Sequence, residues 1–281
     1  YDVDFADTGG SDLDRAEYAV YTATGLGGSL VKTWTLIAPS VAGLGAYTTN
    51  WAVDFPALLE GVTNYVSVRV YDLAGSSAEV RDTFFILKDT TAPTVTDAQT
   101  GDDAWRKVGG TLYNVDFADT GGSLLDRAEY TAWTGLGQTG TQAVGWTAIA
   151  TGISAAGYTT DWSVNFPLLA AGTNYISARA YDVAGSSVAL NDAFVVKKDT
   201  AGPTVSDNQA GDTAWRNAGG TLYNVDFADG LSLLATAQYA VYTATGLGGT
   251  NVKPWTDVVS FSTGSLSATA MFAPELMPTQ Y

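Results

Sequence analysis

Apolar and polar residues alternate along this chain in short runs. Tyr113, Val115 and Phe117 are apolar with Asn114 and Asp116 between them, the two-residue period of a half-buried strand. Trp162, Val164 and Phe166 share one face of a run over 160–166, and Tyr175 to Tyr181 reads as a further strand. Thr94-Val95-Thr96 follows Pro93 and predicts an edge strand, where proline's missing donor is harmless. Ala128 to Trp133, a short Trp146–Ile149 piece and Ala193 to Val196 bring the count to about seven strands. Turn signals separate them: Thr120-Gly121-Gly122, Gly135-Leu136-Gly137, Gly157, Ala171-Gly172-Thr173 and Ala184-Gly185-Ser186. No helical period occurs. The pattern predicts an all-β sandwich.

That pattern repeats. Tyr-Asp-Val-Asp-Phe-Ala-Asp at Tyr1 returns at Tyr113 and Tyr223 with Asn in second place, at spacings of 112 and 110 residues. Lys88-Asp89-Thr90 returns at Lys198, and Trp105-Arg106 at Trp215. A period this long is a whole small domain rather than a solenoid rung. The expected division is 1–88, a repeat without its first strand; 89–198, a complete repeat; and 199–281, a repeat without its last two strands. Tyr281 aligns with Tyr175 and Tyr65, so the simplest expectation is a window cut from a longer array. Short Asp-Thr-x-x-Pro linkers, ending at Pro93 and Pro203, predict limited hinge freedom.

Two motifs carry a resemblance. Leu59-x-Gly61-x-Thr63-x-Tyr65 and Leu169-x-x-Gly172-Thr173-x-Tyr175 resemble the turn and tyrosine that open the sixth strand of fibronectin-III and immunoglobulin-like domains. In those domains the tyrosine hydroxyl ties back to the backbone at a corner. Tyr71-Asp72-x-Ala74-Gly75-Ser76 and Tyr181-Asp182-x-Ala184-Gly185-Ser186, followed by Lys-Asp-Thr and a proline, resemble bacterial immunoglobulin-like repeats. Such repeats occur in long adhesins, surface-layer proteins and appendages. The resemblance implies tandem immunoglobulin-like β-sandwiches in a non-enzymatic structural or adhesive protein, outside the cell or on its surface, bacterial or archaeal. Carbohydrate-binding accessory modules of a secreted enzyme are the alternative. Partners are then copies of the chain or neighbouring repeats in a fibre, with surface glycans or host proteins as further candidates.

Composition narrows the chemistry. The formal charge of −16 repels nucleic acid and anionic lipid, and suits cation binding. No apolar run is long enough to insert in a membrane. With no cysteine and no histidine, thiolate nucleophiles, disulfides and the usual serine-triad base are absent. Any catalysis would rest on carboxylates, lysines or hydroxyls.

The recurring carboxylates are therefore the candidates. Asp72 and Asp182 precede a glycine in a hairpin turn, where an aspartate commonly accepts backbone N–H bonds. Asp72, Asp89, Asp182 and Asp199 are the candidate calcium ligands, because a hard cation wants several oxygens and Asp97, Asp102, Asp103, Asp207 and Asp212 crowd the same regions. No other cofactor is expected. Asp4/Asp7, Asp116/Asp119 and Asp226/Asp229 recur as possible acid–base pairs, with Asp116 expected to face outward on its strand. Asp14-Arg15-x-Glu17 recurs as Asp126-Arg127-x-Glu129 but becomes Ala235-Thr236-x-Gln238, which fits surface ion pairing better than an essential site. Lys88 and Lys198, with Asn64 and Asn174, raise an isopeptide crosslink as a further expectation. The tryptophans recur at fixed repeat positions, such as Trp51/Trp162 and Trp34/Trp146/Trp255; most are expected as core or inter-strand packing, with an exposed Trp or Tyr row for sugar stacking as the further expectation. Tyr239, Trp255 and Phe261 are expected to be half bare in the third repeat.

Overall fold

A computed structural model of the chain describes residues 1–37, 40–99, 103–208, 215–219, 222–265 and 267–272, with side chains described up to residue 258. Asp102, Asp212 and Tyr281 lie outside this description, as does the side chain of Phe261. The first unit contains β1 (Phe5–Ala6), β2 (Leu13–Ala23), β3 (Gly27–Leu36), β4 (Ala46–Tyr47), β5 (Thr63–Asp72) and β6 (Ser77–Leu87). Its main sheet runs β3-β2-β5-β6, and β1 pairs with β4.

The second unit contains β7 (Thr94–Asp97), β8 (Trp105–Arg106), β9 (Val115–Ala118), β10 (Leu125–Gly135), β11 (Thr139–Ala155), β12 (Gly157–Tyr158), β13 (Gly172–Asp182) and β14 (Ser187–Lys198). One sheet runs β11-β10-β13-β14-β8 and the other β12-β9-β7, so Thr94–Asp97 is an edge strand. The third unit contains β15 (Thr204–Asp207), β16 (Tyr223–Ala228), β17 (Leu234–Ala244), β18 (Gly248–Ser265) and β19 (Ser267–Phe272), as sheets β15-β16-β19 and β17-β18. These are tandem β-sandwiches.

The alternation dictates the core. In β9, Val115 and Phe117 are buried, and they meet Ala128, Tyr130 and Ala132 of β10 and Ile176, Ala178 and Ala180 of β13 from the facing sheet. Trp162 packs on Tyr130 and Phe194, and Tyr113 stacks on Phe194 with ring centres 4.2 Å apart. The first unit repeats this with Tyr18, Trp51 and Phe84. The third has a buried core of only Phe227, Leu234 and Ala237 among the described residues.

Several elements differ from the pattern-based expectation. The segment 160–166 is no strand, although Trp162, Val164 and Phe166 are buried. Trp162 forms a single bridge to Tyr113, and Pro167 then sits in a one-turn 3-10 helix, Phe166–Leu168, which ends extended pairing. The short Trp146–Ile149 piece lies inside the 17-residue β11, whose register shifts against β10 bend it out of simple alternation. Gly157, expected in a turn, lies in β12, and Trp105–Arg106 form an unforeseen strand parallel to the end of β14.

Candidate metal centre

Three aspartates converge where the first unit meets the second. Asp89 follows β6 in the linker, Asp119 follows β9 and Asp182 ends β13. One carboxylate oxygen from each lies within 4.8 Å of the others. Oxygens bound to one calcium at ~2.4 Å are at most ~4.8 Å apart, so this spacing suits a shared hard cation.

Local hydrogen bonding aims each group. Asp119 accepts the Gly121 N–H at Oδ1 and the Leu124 N–H at Oδ2, which curls its loop around the carboxylate. Asp182 Oδ1 accepts the Ser186 N–H at 2.7 Å, the turn role expected of it, and Gly185 takes a positive φ of 98° in that turn. Asp89 crosses the junction: Oδ1 accepts Thr91 N–H in its own linker and Oδ2 accepts Ser123 N–H at 2.8 Å in the next unit. Burial pushes the Asp89 pKa up, but hydrogen bonding from Ser123 and from the Thr91 N–H outweighs it and holds the carboxyl below its ordinary value.

Asp182 is only 2% exposed, and its Oδ2 is buried without a hydrogen-bond partner. A buried carboxylate oxygen with no donor is costly, and two further carboxylates beside it add repulsion of roughly 3 kcal/mol per pair at an effective dielectric of ~20. A divalent cation removes both penalties. The three carboxylates supply the charge, and water or backbone carbonyls would complete a shell of six to eight oxygens.

The sequence-level grouping of Asp72 with Asp89 is corrected here. Thr63 of β5 pairs with Leu87, next to the linker, whereas Tyr71 pairs with Ser77 at the far end of the strand. Asp72 therefore stands roughly 30 Å from Asp89 along a ten-residue strand. It makes the Asp182-type turn bond to Ser76 N–H at the opposite end of its own unit. Asp199 occupies the Asp89 position of the second junction, accepting Ala201 N–H and Ser232 N–H, and lies beside the turn of Asp229, which accepts Leu231 and Leu233 N–H. Hydrogen bonding from Ser232 lowers the Asp199 pKa against the opposing effect of burial. Asp119 is the member of the cluster that the motif reading assigns to an acid–base pair instead. Its recurrence as Asp7 and Asp229 at the close of the same strand was the available signal. Its supposed mate Asp116 lies on the face of β9 opposite the core residues Val115 and Phe117, as expected, where it is half-buried, and it is not in the cluster. Asp97 caps its own turn through Gln99 N–H, and Asp103 pairs with Lys197.

Other expectations resolve into packing. Asn174 accepts Ala170 N–H and donates to the carbonyls of Ala170, Gly172 and Val196, while Lys198 Nζ donates to Pro167 and Leu169 carbonyls. Asn64 and Lys88 repeat these roles, so both groups of the isopeptide expectation are engaged by backbone. The corner bonds thus belong to Asn174, and a hydroxyl tie to Tyr130, which accepts Asn165 N–H, rather than to Tyr175. Arg179 lies over Trp146 at 4.0 Å and pairs with Glu129; Arg69 lies over Trp34 at 4.1 Å and pairs with Glu17. The ring faces a sugar would need are covered by guanidinium. Trp255, at the same position in the third unit, is 56% exposed, and Tyr239 is half-buried.

No protein-family model and no curated protein matches the chain. Among solved structures, a tetra-tandem repeat in the extending region of a large adhesion protein is similar at 18% identity, covering 92% of this chain with a TM-score of 0.35. The chain spans 58% of that structure's length. Fibronectin(III)-like modules of Clostridium thermocellum CbhA are similar at 13% identity, over 70% of this chain and 86% of theirs, with a TM-score of 0.27.

Proposed function

We propose that this chain is a stretch of a non-enzymatic extracellular array, structural or adhesive, in which calcium fixes the angle between successive sandwiches. The observation that carries the reading is the division of the carboxylate cluster: Asp89 comes from one unit, and Asp119 and Asp182 from the next. A cation held by all three links the units only when they sit in one relative orientation. Hydrogen bonds fix Asp119 at both oxygens, an arrangement suited to holding a cation and ill suited to shuttling protons. Neighbouring repeats are the proposed partners, and the acidic surface keeps the array soluble at high copy number.

Small-angle scattering of the full chain, with calcium and with chelator, tests this. Calcium should narrow the end-to-end distance distribution and raise the temperature at which the junction loosens. Identical profiles and identical melting curves in both conditions would remove the calcium clamp.

A further inference from the structure

Both junctions between units are built from the same two loops, and the two loops change length together. One is the corner loop that leads into β5 or β13. Asn64 accepts the Leu59 N–H and donates to the Leu59 and Val62 carbonyls, and Asn174 does the same with Ala170 and Gly172. Between these bonded residues the first unit has Glu60-Gly61 and the second only Ala171. The other is the aspartate loop of the following unit. Asp119 accepts Leu124 N–H and Asp89 accepts Ser123 N–H; Asp229 and Asp199 do the same with Leu233 and Ser232. Between aspartate and serine stand Thr120-Gly121-Gly122 in the second unit and Gly230-Leu231 in the third. A long corner loop thus meets a long aspartate loop, and a short one meets a short one.

At the first junction the two long loops touch backbone to backbone. A Cβ on Gly122 would stand 2.7 Å from Gly61 Cα, and a Cβ on Gly61 would stand 3.0 Å from the Gly121 carbonyl oxygen. Neither position has room for a side chain, and both take a positive φ, 109° and 69°. The corner loop also places the linker: Gly61 N–H donates to the Lys88 carbonyl, and Glu60 accepts Thr90 N–H. Asp89 is thereby set against Gly121, where a Cβ would lie 1.9 Å from Oδ1. At the second junction the residue whose N–H bonds the loop aspartate as Gly121 does is Leu231, with a full, half-buried side chain. Asp199 still reaches Ser232 at 3.0 Å. Gly172 and Gly230 have no atom beyond their chain neighbours within 4 Å of an added Cβ, so these glycines make no such contact. Losing one residue from each loop exchanges glycine-on-glycine packing for a junction with room for leucine.

We propose that the paired loop lengths form a neighbour code: a unit with the long corner docks a successor with the long aspartate loop, and a unit with the short corner docks one with the short loop. The partner this surface fits is another repeat of this kind that carries the matching loop. Crossed pairs fail for different reasons. A leucine at the Gly121 position runs into Asp89 when the long corner holds the linker. The long glycine loop, set against a short corner, finds no backbone to rest on. Repeats this alike are prone to dock on the wrong neighbour, within one chain or between chains. A mismatched loop is a repulsive element against that pairing. The code rests on the reading of the chain as an array of units at fixed angles, and not on the cation in that reading.

The chain has no cysteine, so Ser29→Cys and Thr141→Cys, at equivalent exposed positions of the first and second units, take spin labels cleanly. Electron–electron double resonance then reads the distribution of distances between the two units. Three forms of the full chain are compared with the parent: residues 60–62 replaced by Ala-Gly, residues 120–122 replaced by Gly-Leu, and both together. Each graft is the natural loop of a neighbouring unit. All are measured in chelator, so a failed calcium clamp leaves this result standing, and the reverse. Each single graft should broaden the distribution, and the double graft should restore the parent's width. The double graft also lacks Glu60, so its recovery reports matched length rather than the Glu60–Thr90 bond. Gly122→Ala changes neither length; it should broaden the parent and add nothing to the form with the short corner, where Gly61 is gone. Near-ultraviolet circular dichroism checks that both units stay folded, and if a graft disturbs its own unit, Gly122→Ala in the parent decides. Single grafts or Gly122→Ala that keep the parent's distribution, or a double graft as broad as the single ones, overturn the proposal.

Discussion

Asp89 Oδ2 accepts the backbone N–H of Ser123 at 2.8 Å, joining the linker of one sandwich to a loop of the next. The second junction repeats it between Asp199 and Ser232 at 3.0 Å. One aspartate thus does two jobs, ordering its own turn and presenting a carboxylate to the following unit.

Gly121 makes that approach possible. A Cβ at this position would stand 1.9 Å from Asp89 Oδ1 and 2.5 Å from its Cγ. Gly121→Ala should therefore push the linker off the loop. Scattering should show a broader inter-unit distribution, while far-ultraviolet circular dichroism stays that of the parent, because the clash lies between units and not in a core.

Asp182→Asn separates charge from packing. The turn bond to Ser186 survives, since the amide oxygen still accepts it, and repulsion within the carboxylate cluster falls. In chelator the melting temperature should hold or rise slightly. With calcium the upward shift of the parent should vanish. Isothermal titration of both proteins checks the loss of binding directly, and an undiminished calcium shift would show that Asp182 is not a ligand.

The corner of the second unit should depend on Asn174. It is fully buried with one accepted and three donated hydrogen bonds, so Asn174→Ala strands several backbone groups and should cost ~3 kcal/mol or more. Tyr130→Phe should cost ~1 kcal/mol for the lost Asn165 bond. Tyr175→Phe should be close to neutral. Urea titration monitored at the second unit's unfolding step gives all three values.

Trp162 is 6% exposed between Tyr130 and Phe194. Trp162→Ala should cost ~3–5 kcal/mol, a large share of one domain's stability. The same titration reads it, and a loss under ~1 kcal/mol would contradict the packing.

Glu60 gives the first junction a pH dependence. Its carboxylate accepts both the hydroxyl and the N–H of Thr90, and the hydroxyl bond is the main cause of its lowered pKa, with burial opposing and Lys88 assisting. A folded pKa below the unfolded one gives stability that is full above the unfolded value, ~4.3, and is lost as pH falls through the folded value. Lowering the pH through and below ~4.3 should thus loosen the linker in the parent, and Glu60→Gln should remove the share of Glu60 while that of Asp89 stays. Ala171 stands at this position before the second junction, since Leu59 and Ala170 make the equivalent bonds to Asn64 and Asn174, so that junction lacks this carboxylate.

The class of fold, the repeat and the inner face follow from the amino-acid order alone. Two-residue alternation places Val115 and Phe117 inward wherever they are paired, because a strand has only two faces, and the recurrence of whole motifs at 110 residues can only be a repeated domain. That order also marked Asp89 and Asp182 as residues that recur, but not which aspartates meet. That required knowing that Asp72 and Asp89 stand at opposite ends of one sandwich, while Asp182 ends a strand that points back at the preceding linker. Spacing along the chain carries no information about this, since the groups joined are 30 to 93 residues apart and Asp89 belongs to a different unit from the other two. The extended reading of 160–166 failed for a related reason: burial alternates there, but Pro167 and the 3-10 turn take the backbone out of any ladder. Likewise Tyr175 carried the familiar corner motif, whereas Asn174 beside it faces inward and makes the bonds. Which of two adjacent residues points to the core is decided by strand register, and register is a property of the assembled sheet.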